Sequence, residues 1–182
     1  MENIDYDAEL FVPDHIRTYT GKYFNAFDPL PELICIEDIA HALSQQPRYA
    51  GHLPQFYSVA QHSIYVARIL PKPLRLCGLL HDAAEAYLCD IPSPYKKHIP
   101  GYKDAEWNLL EVILKKFGIY NTYWQNENII KAADIRALKI EWDVLMQGRP
   151  NYDSKFFGGG PIVSQHGFIE SRFLIRFKQY SA

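Results

Sequence analysis

The sequence predicts an all-α domain with one small β-hairpin. Apolar residues recur at intervals of three and four along most of the chain, and prolines and glycines punctuate those runs. One short stretch near the N-terminus alternates instead, as a half-buried hairpin does. Hydrophobic residues make up 48% of the 182 positions, enough for a single domain with a substantial core.

Taken in order, "HIRTYTGKYFNAFDP" places aromatic and β-branched residues around Gly21 and reads as the hairpin, part of an N-terminal extension over residues 1–27. "IEDIAHALSQQ" sets Ile36, Ile39, Ala40 and Leu43 at helical spacing. "PRYAGHLPQFY" is a loop punctuated by Pro47, Gly51 and Pro54. Ser58 caps a helix through "VAQHSIYVARIL", which Pro71 and Pro73 end. Leu74 to Leu88 reads as one further helix, and Pro92, Pro94 and Pro100 keep the next segment out of helix. "KDAEWNLLEVILKKFG" carries a stripe of Trp107, Leu110, Leu114 and Phe117, with Gly118 at the C-terminal cap. "NENIIKAADIRALKIEWDVLM" is a long helix. Residues 148–164 form a glycine-rich loop, read either as a lid or as an interface segment, and Ser164 caps the last helix, "QHGFIESRFLIRFKQY". About six helices and a hairpin give one helical bundle over residues 1–182.

Composition narrows the function classes. A net charge of −2 gives no basic field for a nucleic-acid polymer or an anionic membrane, and no basic recognition helix is present. No apolar stretch approaches the roughly 20 residues of a membrane span. Cys35, Cys77 and Cys89 are odd in number and follow no zinc spacing, and no apolar signal run precedes them, so a reduced, cytoplasmic setting is expected.

The chemistry concentrates in "LLHDAAEAYLCDIPSPYKKHIP". His81, Asp82 and Glu85 interrupt an apolar helix, where charge is costly without partners. Imidazole and carboxylate together suit a first-row divalent ion, and Glu85 shares the face of His81 and Asp82 at spacings of four and three. A salt-bridged helix interior is the plainer alternative. His62 and Asp134 are further polar residues on apolar helices, flanked by small residues that permit close packing. Singly, His62 reads as a satisfied core histidine and Asp134 as an ion-pair partner of Lys131 or Arg136. Jointly, two His and two Asp from three helices would make a partly filled octahedral site with water in the open positions. Trp107, Trp124 and Trp142 read as core or packing residues, and His15, His41, His98 and His166 receive no role.

The order His62, His81-Asp82, Asp134 resembles the HD-domain metal-dependent phosphohydrolases, and within them the bacterial and prophage-encoded 5′-deoxynucleotidases. The resemblance rests on "RYAGHLPQFYSVAQHS", "HDAAEAYLCDIPSPYK" and "KAAD", and it spans roughly Ile16 to Met146. It implies one divalent metal (Co, Mn, Fe, Ni, Zn or Mg) on His62, His81, Asp82 and Asp134. It implies that Glu85 positions or deprotonates the attacking water, a metal-bound one, in the hydrolysis of deoxynucleoside 5′-monophosphates. Arg48 matches a phosphate-binding arginine and Asp90 a residue that approaches the sugar hydroxyl. Lys96 and Lys131 are further phosphate candidates, Tyr49 an aromatic that packs on base or sugar, and His52 a group near the phosphate. A homodimer is expected from relatives. Plainer roles stand beside these: a loop clamp for Arg48, a turn cap for Asp90 and solvated surface charge for Lys96. Two rival readings are a deoxynucleoside triphosphate triphosphohydrolase, with Lys96 and Lys131 serving a longer phosphate chain, and a non-catalytic nucleotide-binding regulatory module. A cyclic-dinucleotide phosphodiesterase is disfavoured because no "HHE" or "GYP" signature follows the core motif.

Overall fold

A computed structural model describes residues 12–148 and 166–182. The glycine-rich loop and Ser164 lie outside the described residues, as does most of the region before the hairpin. The fold is all-α with a two-stranded antiparallel hairpin, as the periodicity predicts. In the hairpin, β1 (Ile16–Arg17) pairs with β2 (Tyr23–Phe24), Ile16 opposite Phe24. Gly21 turns the chain between them at φ +86°, a conformation that favours glycine.

The helices are α1 (Ile36–Gln45), α2 (Val59–Ile69), α3 (Arg75–Leu80), α4 (Glu85–Leu88), α5 (Ser93–Lys96), α6 (Tyr102–Lys116), α7 (Tyr120–Gln125), α8 (Glu127–Glu141) and α9 (His166–Ser181). Helix α2 is central and packs against α1, α3, α8 and α9. Its start is fixed as expected by a capping box. Ser58 Oγ accepts from Gln61 N–H at 3.2 Å, and Gln61 Oε1 accepts from Ser58 N–H at 2.8 Å. Val59, Ala60, Ile64, Val66 and Ala67 bury against Leu79, Leu80, Ile113, Leu114 and Phe173 in one continuous core. Gly78 sets the spacing of α3 on α2, because a Cβ there would sit 2.4 Å from a Leu70 methyl and 3.1 Å from Ala67 Cα. That close approach brings His81 beside His62, with ring centroids 5.2 Å apart.

The structure departs from the expected single helix over Leu74–Leu88. Helix α3 stops at Leu80 and α4 starts at Glu85, with tighter three-residue turns between them: Ala83 N–H to Leu80 O and Glu85 N–H to Asp82 O, each 3.0 Å. The His81 ring supplies a reason. Its Nδ1–H donates to Gly78 O at 2.8 Å, the carbonyl an unbroken helix would give to Asp82 N–H. Two short helices also escape the sequence reading: α5 sits in the proline-rich segment, with Pro94 in its first turn, and α7 follows α6. At the far end of α8 the backbone widens into a π-turn over Trp142–Met146, closed by Gln147 N–H to Trp142 O at 3.1 Å.

Candidate functional site

Helix α8 and the α3–α4 turn converge on one cavity of about 860 Å³, lined among others by Arg48, Asp82, Glu85, Asp90, Lys96 and Asp134. His62, fully buried in α2, points its ring at this convergence. Its Nδ1–H donates to Glu141 Oε1 at 2.7 Å, which leaves the Nε2 lone pair facing Asp134 Oδ1 at 3.0 Å and Asp82 Oδ2 at 3.6 Å. His81 is arranged the same way. With Nδ1–H committed to Gly78 O, its Nε2 faces Asp82 Oδ2 at 3.2 Å and Asp134 Oδ1 at 3.9 Å. Neither buried Nε2 atom makes a hydrogen bond. Without a metal, protons on the two rings make these contacts ion pairs of poor hydrogen-bond geometry, and a divalent ion would replace those protons between the imidazoles and the carboxylates.

The residues fit a divalent metal. The ligand atoms of His62, His81 and Asp82 lie within 4.8 Å of one another, the spacing of a shared ion, and Asp134 stands against both histidines. Glu141 and Gly78 O fix the tautomers from behind, as second partners of metal-bound histidines do. Charge balance agrees: Asp82, Glu85, Asp90, Asp134 and Glu141 outnumber Arg48, Lys96 and Lys139 around the site. Electrostatics follow from the crowding. Burial pushes the His81 imidazolium down, but Asp82 and Asp134 push it up further, to about 9. The same histidines hold the Asp134 carboxyl far below its usual range against the cost of its burial.

Glu85, buried at the start of α4, has two unequal oxygens. Oε1 accepts from Lys96 Nζ at 3.0 Å, whereas Oε2 is buried without a partner. Burial, Asp82 and Asp90 raise its carboxyl well above the usual range, and Lys96 and Arg48 pull it back. A carboxylate with one oxygen anchored and the other open, and with raised basicity, suits general-base work. Gln46 at the end of α1 clamps the backbone on either side. Its Nε2–H donates to Glu85 O at 2.8 Å, and its Oε1 accepts from Asp90 N–H at 3.0 Å. Between these points Cys89 takes φ +71°, strain that turns Asp90 into the cavity.

Arg48 enters from the opposite side. Backbone bonds from Arg48 N–H to Tyr57 O (2.9 Å) and Val59 N–H to Gln46 O (3.1 Å) pin the base of its loop. Tyr49 and Ala50 then adopt left-handed φ of +56° and +50°, a cost of about 1–3 kcal/mol each that tends to mark functional turns. The guanidinium lies between Glu141 Oε2 (Nε, 3.5 Å) and Asp82 Oδ2 (Nη1, 3.6 Å). Its Nε is buried without a hydrogen bond. Burial opposes its charge, and Glu141 and Asp82 more than restore it. Tyr49 and His52 line the cavity too.

Other expectations are redistributed. Lys96 is not solvated surface charge, because its ammonium is held by Glu85 and by Glu106 on α6. Lys131 is exposed, one turn before Asp134, and is not among the residues lining the cavity. Trp142 is not a core residue: it is 47% exposed and lines the cavity mouth. Trp124 is exposed as well and packs on Trp107 with centroids 5.6 Å apart. His41, given no role, pairs with Glu170 at 3.0 Å and ties α1 to α9. Sequence reading misses Glu141, Gln46 and Glu106. Glu141 was discoverable in one respect, since it follows Asp134 by seven residues and so shares its helix face.

No helix among the described residues is long and apolar enough to cross a membrane. No family model matches the chain. It is 35% identical over 177 residues to the uncharacterized protein YfdR of Escherichia coli, covering 91% of this chain and 95% of that one. It is 34% identical over 136 residues to an uncharacterized protein of Rhodobacter capsulatus, covering 69% of each chain. At that identity over nearly the full length of both proteins, the chain belongs to the family of YfdR.

Proposed function

We propose that this chain is a divalent-metal-dependent phosphohydrolase of the HD-domain type, converting deoxynucleoside 5′-monophosphates to deoxynucleoside and phosphate. The observation that carries the reading is the convergence of the buried Nε2 atoms of His62 and His81, which make no well-formed hydrogen bond, on Asp82 and Asp134, with Glu85 and Arg48 lining the cavity beside those carboxylates. His62, His81, Asp82 and Asp134 would hold the ion. When bound, it supplies Lewis acidity toward a phosphoryl oxygen and toward water.

The chain's own groups do the rest. Glu85 takes a proton from the attacking water on its open Oε2 while Lys96 holds Oε1 still. A P–O bond forms to water oxygen, the P–O5′ bond breaks, and O5′ leaves as the deoxynucleoside hydroxyl with a proton taken up from solvent, while Glu85 returns its own proton to solvent. Arg48 offers its guanidinium to the phosphoryl oxygens, whose negative charge grows in the transition state. Asp90 lines the same cavity on a backbone held by Gln46, and in this reading it would accept from the sugar hydroxyl. The triphosphatase reading draws less support, because Lys96 is already committed to two glutamates and Lys131 stands outside the cavity lining. A homodimer and a cytoplasmic setting belong to the same proposal and rest on the resemblance and the cysteine content.

The test is product analysis on deoxy and ribo, mono- and triphosphates with Mn²⁺ or Co²⁺, beside the Glu85→Gln protein. We expect inorganic phosphate from deoxy monophosphates, reduced about 10²- to 10⁴-fold in Glu85→Gln with metal still bound. Triphosphate release would instead favour the rival enzyme, and metal binding with no turnover of any substrate would leave a regulatory scaffold.

A further inference from the structure

The cavity has two chemically different halves. Its floor holds the ionised cluster. Its outer wall is one face of α8 and the π-turn beyond it: Ile135, Leu138, Trp142 and Met146, with Asp134 at the floor end. Ile135, Leu138 and Trp142 are 55%, 41% and 47% exposed, so about half of each of these apolar side chains is open to the cavity and solvent. Spacings of three and four keep Ile135, Leu138 and Trp142 on one side of the helix, and the wider π-turn brings Met146 to the same side. At 1.5 Å per residue, Trp142 stands about 12 Å along the axis from Asp134 and Leu138 about 6 Å.

Resting on the phosphohydrolase reading above, we propose that this wall is the platform for the base of the nucleotide, with the Trp142 indole as its stacking face, and that ring area ranks the bases. The occupant follows from continuity with the floor. A molecule whose phosphate lies at Arg48 and Asp134 projects its other end along α8, past Leu138 to Trp142. The strained turn at Tyr49 flanks the platform in the cavity wall. The Tyr49 ring is tilted 42° to Trp142 with centroids 6.4 Å apart, and its hydroxyl donates to Leu138 O at 3.4 Å. Tyr95 and Pro94 from α5 stand among the other lining residues, and Tyr95 is 62% exposed. The wall offers ring faces and alkyl groups. Its cation, Lys139, is a flexible point charge and not the paired donor and acceptor that reading a base edge requires. Stacking tolerates every base and favours the larger ring.

The test compares KM for the four deoxynucleoside monophosphates and for deoxyribose 5-phosphate, which has no base, in wild type, Trp142→Ala and Trp142→Phe loaded with Mn²⁺. We expect purines below pyrimidines and deoxyribose 5-phosphate highest. The ratio of KM for deoxyribose 5-phosphate to KM for deoxyadenosine monophosphate, about tenfold or more in wild type, falls toward one in Trp142→Ala and recovers in Trp142→Phe. A ratio unchanged by Trp142→Ala overturns the platform. So does a change of oligomeric state in that variant with the ratio intact, since the face would then seat a second copy of the chain. Failure of the phosphohydrolase reading looks different: wild type releases phosphate from nothing. Calorimetric binding of free deoxyadenosine then decides the platform alone, supporting it if Trp142→Ala weakens binding about tenfold and overturning it if both proteins bind equally or not at all.

Discussion

Two carboxylate clusters in the fold, one at Asp38 on α1 and one around His62 and His81, obey opposite rules. Asp38 is almost inaccessible, yet fully satisfied. It accepts from Thr20 N–H at 2.7 Å, Thr20 Oγ1 at 2.9 Å and Cys35 Sγ at 3.0 Å. Burial raises its carboxyl, the hydrogen bonds more than reverse that, and the result is a pin fastening the hairpin to α1. The cluster around His62 and His81 has buried histidines and partly open carboxylates, but its Nε2 atoms, Glu85 Oε2 and Arg48 Nε have no hydrogen bond. A buried polar group whose partners are all protein atoms is structure. One whose remaining valence faces a cavity awaits something the chain does not contain.

The largest expected effect separates the clusters by substitution. Glu141→Gln keeps the shape but weakens the hold on His62 Nδ1 and removes the charge beside Arg48, so metal affinity should fall about 10- to 100-fold. Asp38→Asn should leave metal affinity alone and cost about 1–3 kcal/mol of stability, through mismatched donors on the hairpin. Metal titration by calorimetry and thermal melts of both proteins read this directly. Equal losses of affinity would break the contrast, because Glu141 would then be no more than another structural pin.

Chelation is the next largest. At metal held near 100 Kd, binding stabilises the native state by about 2.7 kcal/mol, and a chain of this size shifts its Tm by about 2–4 °C per kcal/mol. Removing metal with EDTA should therefore lower Tm by about 5–10 °C in wild type and in Asp38→Asn, and hardly at all in His81→Ala. A chelator shift that persists in His81→Ala would place the stabilising ion elsewhere.

Why the two clusters were unequally legible in sequence has a physical answer. The HD pair and Glu85 betray themselves locally, as charge breaking an apolar helix, and His62 and Asp134 do so by the same rule. Helix periodicity likewise announces α1, α2, α6 and α8. Glu141, Gln46 and Glu106 look like ordinary helix-surface charge and amide, since only tertiary packing of α8 on α2, and of α1 on α4, buries or aims them. The break at residues 81–84 is invisible to periodicity because the backbone stays near helical. What changes is the partner of Gly78 O, taken by a side chain. Trp142 misleads for the converse reason. A tryptophan on a helical stripe normally packs inward, and here the stripe faces a cavity.

The smallest effect concerns Lys96, which shares features of both clusters. It is satisfied by protein atoms, as Asp38 is, yet it touches the group assigned the base's role. Glu85 must be ionised to accept a proton, so the acid limb of kcat/KM follows its pKa. Burial, Asp82 and Asp90 hold that pKa high, and Lys96 holds it down. Taking the ammonium away in Lys96→Met raises it, and the acid limb should move to higher pH by about one pH unit, with Lys96→Arg close to wild type. If Lys96 merely straps α5 to α6 through Glu106, Lys96→Met would lower the rate by the same factor at every pH and leave the limb where it was. A cation that moves the limb tunes the reaction, and a cation that only scales the rate holds the fold. Satisfied contacts alone therefore do not make a buried charge structural when one of its partners still has an open oxygen facing the cavity.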